Sequence, residues 1–510
     1  MAPRFVLLWT DAVLYALLAA LIAYVWHVRR DPNLRATWTK AFTDAPSMCS
    51  ALVLAAFLVV TLLDSVHFRP ALSRAPGTPA SAPVAYDTRT LSLLDTVLER
   101  LVQSRESSYS VPFATRGFLK ETRDVDGRPE RVFPRLLHGG AHLRDPDRDA
   151  LPDVLRRTGL GAVAGVVVAA IAALLVAMAH ARAHGIGIGT ALRHIASNRT
   201  RLPLRAALWT VGVMAILAGV VGASMFAYHV LGTDRTGNDV LYQALKSVRT
   251  AFVIGSLATI ATLPLAIAFG VAAGYFRGWV DEVIQYLYTT LSSVPNVLLI
   301  AACVLIVQVY IDKNPDLFAT GAERADLRLF LLCVILGLTG WATLCRLLRA
   351  ETLKLRELEY VQAATAFGVG HWRIMRRHVL PNVMHLVLIT TVLDFSGLIL
   401  YEAVLSYVGV GVDPSMNSFG GMINLARSEM SRDPVVWWSF AAAFVFMVTL
   451  VLATNLFADG VRDAFDPRSR VFRPRAAPPP ARPPAVTADA PLPTIVAPIA
   501  ASGASPGTVR

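Results

Sequence analysis

Two carboxylates stand where carboxylates are costly. Asp394 and Glu402 lie inside the apolar run 382–408, and an ionisable group at membrane depth costs about 2.5–3.5 kcal/mol on insertion scales. Such groups face an aqueous path or a partner. On a helix they stand about two turns apart and roughly a quarter-turn around. One reading is a pathway contact for a substrate amine or basic side chain. The other is an internal hydrogen-bonded contact or, for Glu402, a place near the outer interface. A second candidate is the glycine loop Gly232 to Val240, GTDRTGNDV. Gly232 and Gly237 have phosphate-loop spacing, but the Lys-Ser/Thr that must follow is absent and Asn238-Asp239 would repel phosphate. It reads as a tight external loop whose Asp and Thr side chains cap its turns. No H-E-x-x-H or G-x-S-x-G stands in a usable context, and the histidines are scattered. Cys49, Cys303, Cys333 and Cys345 lack metal-ligand and disulfide spacing; they read as small buried hydrophobes. The chain is expected to carry no catalytic centre, metal, cofactor or ATPase of its own.

The elements that must position these residues are membrane spans. The 510 residues are 55% hydrophobic and 16% charged, with mean hydropathy +0.51. Several runs reach the ~20 apolar residues that cross a hydrocarbon core. Nine spans are expected: 6–27, 51–68, 160–180, 206–231, 251–276, 283–310, 327–348, 382–408 and 436–458. The first lacks a basic start and a cleavage site, so it is read as a retained span. The net charge of +12 is assigned to cytosolic loops rather than to nucleic acid. Arg29, Arg30, Arg35 and Lys40; Arg182, Arg193, Arg199, Arg201 and Arg205; Arg346 to Arg377; and Arg462 to Arg473 form four basic clusters. All four fall inside if the N-terminus is outside and the span number is odd.

Between apolar segments lies a charged, amphipathic island, Arg356 to Asn382. Tyr360, Ala363, Ala364 and Phe367 fall at i, i+3, i+4 and i+7, one face of a short helix. Gly368 follows where a left-handed helix stop favours a residue without a Cβ. Gly370 permits a second turn, and a basic helical run from His371 to Val379 leads into Leu380-Pro381. The expected shape is a helix–turn–helix on the membrane surface that offers a small-residue face.

This stretch resembles the cytoplasmic coupling loop of bacterial ABC-transporter permeases, E-A-A-x3-G-x9-I-x-L-P. Ala363, Ala364, Gly368, Leu380 and Pro381 match it, with Gln362 for the usual Glu and His378 for the usual Ile. EYVQAA…RHVLPN is similar to the dipeptide/oligopeptide/nickel branch in its DppC/OppC-like half. GTDRTGNDV, AAGYFRGWVD (272–281), LSYVGVGVDP (405–414) and NLFADGVRDAFDP (455–467) continue the likeness over about residues 206–468. Glu402 sits where that family commonly has Glu; Asp394 does not match its pattern.

The resemblance implies an all-α membrane protein, a polytopic bundle of about nine spans around a type I ABC importer permease core. Residues 1–68 are expected to add two spans, 69–157 a small periplasmic insert with one amphipathic helix at Leu91–Leu101, and 158–205 a third added span with a basic cytosolic loop. Residues 206–248 carry the first family-like span and its external loop, 249–466 the core, and 467–510 a disordered Pro/Ala-rich cytosolic tail. The implied function is an inner-membrane permease subunit importing di- or oligopeptides, with nickel or another small solute as the alternative. Implied partners are a second, DppB/OppB-like permease, two ABC ATPases docking on residues 356–382 and a periplasmic substrate-binding protein. Coupling residues carried over are Glu359, Tyr360, Gln362, Ala363, Ala364, Gly368, Leu380 and Pro381, with Gly368 as the elbow. A secondary transporter would need midplane ion sites and internal repeats that are not evident; a membrane scaffold would leave the coupling stretch without a purpose.

Overall fold

The computed structural model describes residues 3–72, 86–125, 128–318 and 320–465. The expected tail at 467–510 and most of the Pro/Ala/Ser-rich opening of the insert lie outside the described residues. Nine segments among those described are long and apolar enough to cross a membrane.

The chain opens with β1 (Arg4–Val6), which pairs antiparallel with β2 (His67–Arg69); β2 pairs in turn with β3 (Leu91–Ser92). Between β1 and β2 run α1 (Trp9–Arg30), α2 (Pro32–Ala41) and α3 (Ala45–Asp64). Asp31 accepts from the Asn33 N–H at 2.9 Å, and Pro32 fills the first helical position of α2.

The expected helix at Leu91–Leu101 is two short ones, α4 (Leu93–Val97) and α5 (Glu99–Gln103). A capping box starts the first: Asp95 accepts from the Ser92 N–H at 2.8 Å and donates its own N–H to Ser92 Oγ at 3.1 Å. Leu98 breaks the run, and Leu94, Leu98 and Leu101 all reach one cluster with Val230 and Leu241. Packing overrides local helix continuity there. A hairpin of β4 (Glu121–Val125) and β5 (Arg128–Val132) follows.

Next come α6 (Pro146–His184), α7 (Ile188–Ala196) and α8 (Leu204–Ser224). α6 and α8 cross at backbone contact. A Cβ added at Gly161 would overlap the Gly219 carbonyl, and one at Gly165 would meet the backbone of Ala215 and Ile216. Small residues permit such an approach in lipid.

α9 (Val240–Phe276) is the hub, touching α1, α3 and most later helices. It starts eleven residues before the expected Ala251, because Asp239 caps it through the Leu241 and Tyr242 N–H groups at 2.9 and 3.2 Å. The single sixth span expected at 283–310 is instead α10 (Gly278–Ser293) and α11 (Asn296–Lys313). Pro295 is the cause. It lacks an N–H and forces Val294 into extended backbone, φ −89 and ψ 134; only α11 qualifies as a span.

The remainder is α12 (Gly321–Gly340) running into α13 (Ala342–Arg356), then α14 (Glu359–Ala366), α15 (His371–Ile374), α16 (Leu380–Val408), α17 (Phe419–Glu429) and α18 (Trp438–Phe465). Gly270 and Gly274 bring α9 against α13: added Cβ atoms would stand 2.8 Å from Leu348 Cβ and 2.6 Å from Thr352 Cβ.

Successive spans alternate in direction. α2, between α1 and α3, meets the C-terminal end of α18, where the Trp38 and Phe465 rings are 5.4 Å apart. Residues 104–118 meet its N-terminal end, where Phe118 lies 5.0 Å from Trp438. The coupling stretch and the insert therefore lie at opposite ends of the bundle.

Candidate functional site

α14 carries Glu359, Tyr360, Gln362, Ala363 and Ala364; all but half-buried Ala364 are exposed. Val361 alone on this helix is buried, in a cluster with Ala273, Tyr275, Cys345, Ile374, Val379 and Val383. The helix thus rests on one apolar pin and turns its other faces outward. It ends as the glycine requires. Gly368 takes φ +74, its N–H bonds the Thr365 carbonyl at 3.0 Å, and the Val369 N–H bonds the Ala364 carbonyl at 3.1 Å. These are the two bonds of a left-handed helix stop. Nothing lies within 4 Å of a Cβ built on Gly368, so backbone conformation, not space, selects glycine here.

The basic run is not plain helix. After α15, Met375–Val379 form a π-helical turn in which the Leu380 N–H reaches back to the Met375 carbonyl. Pro381, one residue on, has no N–H to give to Arg377, and a π turn accommodates that missing bond. Leu380 is half-buried and Pro381 exposed at the root of α16.

Side chains then tie the two short helices to the spans. Asn382 donates to Tyr360 Oη at 3.1 Å, and Gln362 to the Glu357 carbonyl at 3.1 Å. Glu357 also pairs with Arg277, which holds φ +58 at the α9–α10 junction. Arg356 donates to the Tyr275 carbonyl at 2.7 Å, and Tyr275 Oη lies 2.9 Å from His371 Nδ1. Arg349 grips Asp281 with two bonds, 2.5 and 2.7 Å. Of these anchors the coupling motif contains none but Tyr360 and Gln362. Gly278, the residue after Arg277, is the nearest sequence signal for the rest. Phe367 is 87% and Trp372 73% exposed, two large apolar side chains flanking the elbow on the open face.

The two span carboxylates separate. Asp394 is exposed on α16 in the single chain, next to exposed Leu393. Glu402 is 2% exposed and accepts from Ser406 Oγ at 2.6 Å. The structure does not bring them to one surface. Only a minority of α16 is buried: Val383, Val387, Ser396, Ile399, Glu402, Leu405 and Ser406.

The family described as binding-protein-dependent transport system inner membrane component matches residues 266–471, from the C-terminal third of α9 to beyond the last residue of α18. The oligopeptide transport system permease protein OppC of Mycobacterium tuberculosis is 31% identical over 245 residues, 48% of this chain and 78% of the relative. The chain belongs to this family. OppC of Haemophilus influenzae is 30% identical over 48% of this chain and 73% of its own length. The glutathione transport system permease protein GsiD of Pectobacterium atrosepticum is 31% identical over 47% and 73%. Among solved structures, an inward-facing MetNI methionine ABC transporter chain covers 44% of this chain and 96% of itself at 15% identity. Its TM-score of 0.32 is too low to bear on the fold. Membership makes this chain a membrane-embedded, multi-pass permease subunit of an ABC importer, not itself an enzyme. The family works with ATPase and substrate-binding-protein partners.

Proposed function

We propose that the chain imports di- or oligopeptides across a bacterial inner membrane, powered by two ATPase subunits that dock on residues 356–382. The observation that carries the coupling half is the outward-facing α14 with its small residues Ala363 and Ala364, closed by the left-handed Gly368 and flanked by Phe367 and Trp372. The names of the OppC and GsiD relatives carry the peptide half. Basic residues set the orientation: the end bearing Arg356, Arg373, Arg376 and Arg377 is cytoplasmic, which leaves the N-terminus and the insert periplasmic. A second, related permease covers the open face of α16, so that Asp394 lines a shared path while Glu402 holds α16 to the loop that follows it. The periplasmic binding protein delivers solute at the insert end.

The test is Gly368→Val in the assembled importer. A β-branched residue at φ +74 is strained by about 1–2 kcal/mol, yet it clashes with nothing. ATP hydrolysis without matching peptide uptake is the expected result; normal uptake would reject the elbow.

A further inference from the structure

At the coupling end, but ahead of the family-like half, a groove of about 380 Å³ opens between the end of α1, α2, the first turns of α3 and the turn before α8. Arg35, Trp38, Thr39 and Phe42 line it. They fall at i, i+3, i+4 and i+7, so one stripe of α2 faces the groove. The rest of the wall is apolar: Val28 at the end of α1, Met48, Ala51 and Leu52 on α3, and Leu202.

We infer that this groove seats one anionic phospholipid, with its phosphate at Arg35 and an acyl chain lying against α3. The site does not depend on what the importer carries. First, polarity runs one way along the groove. Arg35 stands on α2, outside the spans, whereas Ala51 and Leu52 are six and seven residues into α3, about 10 Å from its start. A basic mouth over an apolar floor between spans suits a lipid headgroup and its chain. Second, the mouth holds unspent positive charge. Arg35 is exposed, and its guanidinium has no partner among the described residues. The same is true of Arg29 and Arg201, the sequence neighbours of Val28 and Leu202. Asp31, one turn before Arg35, does not answer it: its carboxylate accepts from the Asn33 and Leu34 N–H groups at 2.9 and 3.4 Å. A guanidinium fits a phosphate through paired N–H donors. Third, aromatic rings mark the headgroup level. Trp38 donates its Nε1–H to Tyr24 Oη at 3.0 Å, and the Arg30 guanidinium lies 3.4 Å over the Trp26 ring. Such rings gather at the membrane–water boundary. The chain beyond residue 466 is a poor rival by charge, since Arg468, Arg470, Arg473 and Arg475 carry the same sign as the mouth.

The test uses the full importer, with its ATPases and second permease, in phosphatidylcholine nanodiscs. Phosphatidylglycerol or phosphatidylcholine brominated on the acyl chains is added in steps. Bromine quenches nearby indoles, and the share from Trp38 is the difference between wild type and Trp38→Phe. Phosphatidylglycerol should reach half of that quenching at about fivefold lower mole fraction than phosphatidylcholine, the scale of one arginine near an anionic headgroup. Arg35→Gln should abolish the preference and Arg35→Lys keep part of it. Ala51→Phe, which fills the floor, should cut the Trp38 share for both lipids. Co-purification of the subunits establishes that each variant assembles. Equal quenching by the two lipids, or a preference that survives Arg35→Gln, overturns the site. Absence of Trp38 quenching by either lipid overturns it too, and gives the groove to protein, either a second copy or the chain beyond 466.

Discussion

The two ends of this molecule are built on opposite principles. At the coupling end, the short helices are pinned by one buried residue each, Val361 on α14 and Ile374 on α15, and most of their charges, amides and large apolar side chains lie open. At the insert end, charged groups are sunk in the interior and paired across long stretches of chain. Arg249 of α9 is 3% exposed and donates to Asp11 of α1 at 2.5 Å, with Asp326 of α12 at 3.8 Å. Lys246 lies 2.8 Å from Asp64 and 2.9 Å from Asp95. His229 stands between Asp239 at 2.7 Å and Glu106 at 3.4 Å. An open end leaves its side chains free to be covered; a charge-locked end holds its own shape.

The sharpest way to break this contrast is Arg249→Met. Removing one partner of a buried ionic cluster costs about 3–5 kcal/mol because the remaining charge is left uncompensated. Thermal unfolding of the full chain in detergent should show that loss, and a small shift would mean the insert end is not locked by charge. The same measurement on Gly368→Val should show far less.

A middle-sized effect is expected from pH. Burial opposes the charge on His229, but the hydrogen bonds and charges of Asp239 and Glu106 outweigh it and lift its pKa from 6.5 to about 9. Burial likewise opposes ionisation of Glu106, yet His229 and the N–H groups of Gly139, Leu137 and His138 bring it from 4.5 down to about 2. A raised histidine stabilises fully below about 6.5 and loses its contribution as pH climbs through 9; a lowered carboxylate stabilises above about 4.5 and fades as pH falls through 2. Stability should therefore decline between pH 6.5 and 9, and His229→Gln should flatten that slope. An unchanged slope in the variant would assign the titration elsewhere.

The smallest effect probes the open α16 face. Asp394→Asn should reduce uptake of cationic peptides several-fold more than that of neutral ones, the scale of one partly hydrated charge contact. Equal effects on both would remove Asp394 from the path.

The contrast also explains what could be read from sequence. The coupling stretch was legible because its form is local: a helical stripe, a glycine stop and Leu-Pro within one short window. The nine spans were legible from length and hydropathy. Pro295 was a readable break that the apolar run 283–310 concealed. The pairs at the insert end were not legible, because Asp11, Glu106 and Arg249 carry no local sign of one another. Lys246 and Arg249 looked like a polar prelude to a span starting at Ala251, whereas both lie within α9 and are neutralised by partners more than 100 positions away in the chain.

The meeting of α6 and α8 through bare glycines has a consequence for the leading two-fifths of the chain. A shortened protein starting near residue 206 would strip the cover from Gly219, take away the nearer of the two carboxylates that answer Arg249, and leave Lys246 facing neither Asp64 nor Asp95. What lies ahead of the family-like half is ion-paired and packed into it rather than appended to it.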